Sequence, residues 1–389
     1  MRSCYFFICI TLLLSSCHKK QSVINVSTNE EMLNQDYDLP LVSYNFEGEA
    51  SIDTLSIDNI IKSVELIPLE TNDNSLVDMV IDVEPINDYY VVKHGKNLVN
   101  FQIAVFNKEG KFVRNLYNLG RGPNEITQTL NSFCIESTND VMIMGMDKIL
   151  ICNVETGSIS HYRPYESADG TISVGKFAPL PDGTIACLNA VKNKKNETHP
   201  FLIIFDSNLK PIKYYSDDKI RYSERSDGPV LVSALTRSPN GALYRDILND
   251  TVFSVRGKDA INPAFVLDVP SKNRPQIANE SSSERKKVKY YYHDIFYPFE
   301  SENYIFDGYS FDNKEYNVIW KKGLPKPLYK TSSDRSGYWI KVDDLTLFCN
   351  MHSCINNQII TTIPWFLASR FIDDIQPDSN PVLLIITLR

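Results

Sequence analysis

Two series of turn-forming pairs recur along this chain at a spacing near fifty residues, and this periodicity restricts the fold more than any other feature. The first series is Asn87-Asp88, Asn139-Asp140, Asp182-Gly183, Asn240-Gly241 and Glu302-Asn303. The second is Glu109-Gly110, Thr156-Gly157, Ser207-Asn208, Arg256-Gly257 and Lys322-Gly323. Successive members of a series lie 43 to 66 residues apart. Asn, Asp and Gly tolerate the positive φ that tight hairpin turns need. Short apolar runs flank the turns, among them Val141 to Met146, Ile149 to Asn153 and Leu202 to Asp206. Each unit therefore reads strand, turn, strand, loop, strand, turn, strand. Four strands in roughly 40–60 residues is the size of a propeller blade.

Units beginning near 78, 130, 174, 232, 290 and 336 predict six blades. The nearest competing helix is the charged stretch Glu280 to Lys289, which reads as a short helix or loop. A β-sandwich is the alternative architecture, and the regular spacing argues against it. An open ring would leave strand edges exposed, so the ends must meet. Ser63 to Leu69 (SVELIPL) and Pro381 to Leu388 (PVLLIITL) are both strand-like and are predicted to share one blade. The expected fold is all-β, a six-bladed β-propeller over residues 51–389 whose N- and C-terminal strands close the ring. The 21 Tyr and 19 Phe suit it, because aromatic side chains pack well across half-buried strands.

The N-terminus carries an address. Arg2 precedes an apolar run from Cys4 to Leu14, too short for the roughly twenty residues of a spanning helix and right for a secretory h-region. Leu14-Ser15-Ser16-Cys17 then resembles the bacterial lipobox, in which the cysteine is acylated and becomes the first mature residue. An ordinary signal peptide that happens to contain a cysteine is the weaker reading. Residues 1–16 are thus expected to be a lipoprotein signal peptide, and Cys17 the lipidation site that attaches the chain to a membrane. Several acyl chains, at about 0.8 kcal/mol per buried CH2, anchor stably. Residues 17–50 are expected to be a flexible tether, rich in Asn, Gln, Ser and Glu.

Charge and cysteine usage exclude some classes. A net charge of −8 argues against a nucleic-acid partner, which selects a basic face. Of the eight cysteines, five lie beyond the signal and anchor, an odd number that cannot all pair internally. Cys349 and Cys354 read as a local disulfide, as buried thiols or, with His352 between them, as a weak metal signal. The six histidines show no paired ligand spacing, and no G-x-S-x-G elbow is present. No cofactor and no metal are expected.

Four motifs carry a family likeness. Val64 to Glu70 (VELIPLE) is followed by Val105 to Val113 (VFNKEGKFV), then by Gly120-Arg121-Gly122-Pro123-Asn124-Glu125, and Asp378 to Leu383 (DSNPVL) stands near the end. This order resembles the six-bladed β-propeller lipoproteins of Bacteroidetes, with Asn107 where that family often has Asp. The resemblance implies the fold and a cell-envelope, outer-membrane location rather than a chemistry. Surface-exported members often carry an acidic cluster after the cysteine, whereas His18-Lys19-Lys20 is basic here, which favours a periplasm-facing domain. Asp53-Thr54-Leu55 is similar to the tripeptide that Bacteroidetes glycosylate, making Thr54 a candidate glycosylation site.

The candidate binding loop is Gly120, Arg121, Gly122, Pro123, Asn124 and Glu125. Its glycines permit a sharp turn, with Arg121 as a fork for a carboxylate or sugar hydroxyls. The competing reading makes the loop a plain crossover between blades. Arg285 to Lys289 with Tyr290 to Tyr292 reads as a solvated loop or short helix. The leading functional expectation is a non-catalytic binding or scaffolding propeller for a glycan, peptide or protein of the envelope. The alternative is a propeller hydrolase or lyase with a polar or metal site at the central axis, so enzymatic activity stays open.

Overall fold

The computed structural model describes residues 41–45, 57–96, 101–145, 148–162, 176–188, 200–216, 233–246, 251–268, 298–311, 314–333, 337–342, 345–349, 353–373 and 375–389. Cys17 and Thr54 lie outside the described residues, as does the stretch 280–292.

Six four-stranded antiparallel units follow one another. Blade one is Val80–Ile86, Tyr89–His94, Gln102–Asn107 and Phe112–Asn115. Blade two is Thr129–Ile135, Asp140–Gly145, Ile149–Asn153 and Ile159–Tyr162. Blade three is Phe177–Pro179, Ile185–Leu188, Pro200–Phe205 and Pro211–Ser216. Blade four is Ser233–Ser238, Gly241–Asp246, Thr251–Gly257 and Ala260–Asp268. Blade five is Phe299–Glu300, Tyr304–Phe311, Lys314–Lys321 and Tyr329–Ser333. Blade six takes Ser353–Ile355, Gln358–Ile363 and Val382–Leu388 from the C-terminal end and Ile61–Pro68 from the N-terminal end.

The first strand of each blade touches the first strands of the blades before and after it, and blade six touches blade one, so the ring is closed. Closure is made by backbone hydrogen bonds, because both chain ends enter one sheet. Ile61–Pro68 runs antiparallel to Val382–Leu388, with Glu65 opposite Ile385 and Leu66 opposite Leu384. Each of the six gaps between blades holds one buried apolar cluster. Middle strands are covered on both faces, which is why they read as unbroken apolar runs such as Ile185–Leu188 rather than as alternation.

Both turn series fall on one face of the ring. The first joins strands one and two of each blade, and the second joins strands three and four. Asn87 and Asn139 adopt φ of 45° and 57°, as the turn chemistry requires. Gly110, at φ 78°, is also pressed against the carbonyl oxygen of Pro68, where a Cβ would collide. The opposite face carries the crossovers between blades and the loops joining strands two and three.

Two sequence expectations are corrected. The sixth unit does not start near 336: Tyr338–Val342 and Leu345–Cys349 form a separate hairpin, and the inner strand of blade six begins at Ser353. Its turn, Asn356-Asn357, has φ of 50° and 64° and belongs to the first turn series. The hairpin buries Tyr338, Ile340 and Leu347 against blades five and six, and so has the same apolar signature as a blade strand. In addition, Ser43–Asn45, inside the stretch read as tether, adds a parallel fifth strand to the outer edge of blade four. Tyr44 drives this by burying its ring against Phe265 and Trp320.

Candidate functional site

The family-like motifs converge on the closure. The Glu70 carboxylate accepts the Phe112 amide at 2.9 Å, and the Glu70 amide donates to the Gly110 carbonyl at 2.8 Å. The Asn380 side chain donates to the Glu70 and Ser75 carbonyls at 2.7 and 2.6 Å and accepts the Val77 amide at 2.9 Å. These residues clasp blade six to blade one, so what they encode is the ring.

The Gly120–Glu125 loop lies in the crossover from blade one to blade two. Asn118–Leu119 and Glu125–Ile126 pair in parallel across it. Glu125 folds back and accepts the Gly122 amide at 2.7 Å, and the Lys148 amine donates to the Gly122 carbonyl at 2.8 Å. A Cβ at Gly120 would strike the Glu125 carboxylate. The glycines therefore admit a carboxylate that braces the loop, while Arg121 points to solvent as an exposed side chain.

The histidines do not converge among the described residues. His94 is buried in blade one, its Nδ1 accepts the Asp78 amide at 3.2 Å, and burial lowers its pKa. His161 is exposed on the outer strand of blade two. Among the described residues no group of three or more His, Cys, Asp or Glu side chains is placed to hold a metal. Cys354 is a free, buried thiol, pushed up to about 12 by burial, and the Cys349 side chain lies outside the described residues.

What the fold does assemble is a charged cluster at the axis. Arg237, on the inner strand of blade four, reaches across to blades one and two. It donates to Glu84 Oε2 at 3.1 Å and to Glu136 Oε1 at 2.9 Å. Glu84 also accepts the Cys134 amide of blade two at 3.2 Å. All three charges stand near the first-series turns, so they bridge the axial channel at its turn-face end. Farther along, Asp82 of blade one stands opposite Lys93 in the strand register, and Lys176 enters at the head of blade three.

Burial dominates the electrostatics of this cluster. It raises the carboxyl groups of Asp82 and Glu84, against the pull of Lys93 on the first and Arg237 on the second. It lowers the Lys93 amine despite Asp82 and Glu84. It brings the Lys176 amine down to about 7, with Asp82 opposing and Lys93 reinforcing the shift. The Cys134 thiol is pushed well up, first by burial and then by Glu84. Water still reaches part of Asp82, Glu84, Lys93 and Lys176.

The crossover face also holds exposed apolar side chains. Leu76 and Met79, on the crossover from blade six to blade one, are 58% and 54% exposed, and Phe366, in the loop after the second strand of blade six, is 56% exposed. Leu119, at 40%, lies on the next crossover.

A closed six-bladed propeller with a charged axis and one loop-bearing face is the class this structure defines. The chain belongs to the family of the domain of unknown function DUF4934, whose pattern matches residues 42–387. Among curated proteins none matches it. Its fold is similar to the crystal structure of a protein described as exported, from Bacteroides fragilis. That likeness has a TM-score of 0.64 at 17% identity and covers 90% of this chain and 100% of the other. A Bacteroides caccae protein of unknown function matches with a TM-score of 0.25 at 15% identity over 35% of this chain and 48% of its own. The Dos1 propeller matches with a TM-score of 0.38 at 9% identity over 82% of each.

Proposed function

We propose that this protein is a binding propeller of the cell envelope, tethered through lipid on Cys17, that engages an envelope partner through its crossover face. The observation carrying this reading is the asymmetry of the two faces. One consists mainly of tight turns within blades, with exposed Leu324 beside one of them, and the other combines crossovers with exposed Leu76, Met79 and Phe366. Solvent-exposed apolar groups clustered on one face mark interaction surfaces. The address rests on Arg2, the Cys4 to Leu14 run and the lipobox-like Leu14 to Cys17, and on the likeness to a Bacteroides protein described as exported. A periplasmic orientation rests on the basic residues after Cys17.

The test is fractionation and affinity capture with the full chain and with Cys17→Ala. The full chain is expected in the membrane fraction, recovering one consistent envelope partner, and Cys17→Ala in the soluble fraction. Cys17→Ala remaining with membranes would remove the lipid anchor, and recovery of no consistent partner would remove the scaffold reading.

A further inference from the structure

The crossover from blade six to blade one is held in two different ways along its length. Its middle is held by Asn380, whose side chain donates to the Ser75 carbonyl at 2.6 Å and accepts the Val77 amide at 2.9 Å. Asn380 does not titrate. One residue later the hold passes to the end of the second strand of blade one. The Asp78 amide donates to Nδ1 of His94 at 3.2 Å, and the Gly95 amide donates to the Met79 carbonyl at 3.0 Å. His94 is 3% exposed, and among the described residues its Nε2 is enclosed without a hydrogen-bond partner. A backbone amide can only donate, so Nδ1 must offer a lone pair and the imidazole is neutral with its proton on Nε2. By strand alternation His94 shares a face with Tyr90 and Val92, which line the apolar gap between blades six and one, where Val77 and Val80 also pack. Exposed Met79 stands next to this contact.

We propose that His94 is a pH-operated fastener of this crossover: the neutral imidazole holds Asp78 and Met79 against blade one, and protonation releases them while Asn380 keeps Ser75 and Val77 in place. Protonation fills the Nδ1 lone pair, so the Asp78 amide loses its acceptor. It also leaves a charge in an enclosed apolar gap, which is costly unless the ring moves toward water or an anion. The ionisable groups on that side of the sheet are Asp78 of the crossover, Glu65 and Glu70 of the closing strand and its end, and Tyr90 with Lys108 over its ring. Asp82, Glu84 and Lys93 lie on the opposite side of the same sheet. Of all these, Asp78 is the one that acts on the imidazole and favours its charge, and burial outweighs it, which lowers the pKa from the ordinary 6.5. The hold is therefore complete above about 6.5 and is lost as pH falls below it, because the released segment takes up the proton that the closed one refuses. The fastener stands on its own contacts. Its consequence for a partner rests on the reading of the crossover face as the binding surface.

The experiment is amide hydrogen exchange of the whole mature protein, read by NMR at about pH 7.5 and about pH 5.5 and corrected for the intrinsic pH dependence of exchange. The Asp78 and Gly95 amides are expected to lose about threefold to tenfold of their protection at the lower pH. The Val77 amide, whose acceptor is Asn380, is expected to change by less than about twofold. His94→Asn puts an amide oxygen where Nδ1 stands, an acceptor at every pH, and is expected to make the Asp78 and Gly95 protection independent of pH over this range. Should that variant fail to unfold cooperatively, the contrast between Asp78 and Val77 in the native chain decides alone. Unchanged protection at Asp78 would overturn the proposal, as would equal losses at Asp78 and Val77, or a loss that persists in His94→Asn. Affinity capture at the same two pH values reads the consequence: less envelope partner at the lower pH for the native chain, and equal amounts for His94→Asn. Capture that ignores pH while the two amides respond refutes the regulation of binding and leaves the fastener. Recovery of no consistent partner at either pH refutes the binding reading itself.

Discussion

Replacing Arg237 by alanine is the perturbation that best probes the axial cluster. The variant leaves the Glu84 and Glu136 carboxylates without the guanidinium that both accept from. Their side chains are 13% and 39% exposed, so the two losses differ. Glu136 is wet enough that its share is that of a surface pair, about 0.5 kcal/mol. Glu84 is mostly enclosed, and breaking a buried pair costs about 3–5 kcal/mol, reduced here because Glu84 can protonate. The expected loss near pH 8 is therefore about 3 kcal/mol. At about 2.1 cal/mol/K of unfolding entropy per residue, that lowers the melting temperature by about 4 °C.

The pH dependence of the loss distinguishes charge from packing. Burial raises the Glu84 carboxyl, and removing Arg237 raises it further. The folded variant takes up a proton on Glu84 more readily as pH falls, so the loss is smaller at about pH 5 than at about pH 8. Thermal and urea unfolding of the mature protein at both pH values, with Glu84→Gln combined in a double-mutant cycle, measures it. An Arg237→Ala loss below about 0.5 kcal/mol would refute the reasoning, as would equal losses at both pH values.

Other consequences follow from burial elsewhere. Ile386 is 1% exposed in the closing strand, and Ile386→Ala is expected to cost about 3 kcal/mol, read from the urea midpoint. Asp307 is fully buried against Arg245 at 2.9 Å, and burial raises its carboxyl to about 6 from 3.8. The folded state thus holds a proton that the unfolded state has released, so this group's stabilisation is present at low pH and is lost as pH rises through about 6. Asp307→Asn is expected to flatten that part of the stability–pH curve. Burial pushes the Cys134 thiol well up and the Cys152 thiol to about 12, so native protein is expected to react negligibly with an aromatic disulfide reagent at neutral pH. Urea should expose both thiols, and fast native labelling of either would contradict their placement.

The fold was legible in the sequence because tight turns leave a local chemical signature. Asn87, Asn139, Gly110 and Gly157 adopt the positive φ that their residue types announce. The closing strands were legible because each is an apolar run with no partner nearby in sequence. The hairpin at 338–349 misled because its strands are as apolar as a blade's, and a pattern of burial does not say which sheet is joined. Asn356-Asn357 marked the true turn of blade six. The motif residues Glu70, Gly110 and Asn380 stood out because closure needs them at particular backbone positions. By contrast, Asp82, Glu84, Lys93, Lys176 and Arg237 share no spacing. They meet only because inner strands from four blades' worth of chain converge on one axis, with Glu84 and Arg237 separated by 153 residues. Within a strand, an alternating charge such as Asp82 or Glu84 looks like an ordinary solvent-facing position.

Site-specific photocross-linking on the two faces tests the account most directly. A photoreactive residue is placed at exposed Asp73 or Asn124 on the crossover face, and at exposed Glu109 or Lys258 on the turn face, of the full lipidated chain in envelope membranes. Adducts to one discrete partner are expected from Asp73 and Asn124 and not from Glu109 or Lys258. Adducts confined to Glu109 and Lys258, or equal from all four positions, would contradict the assignment of the crossover face as the binding surface.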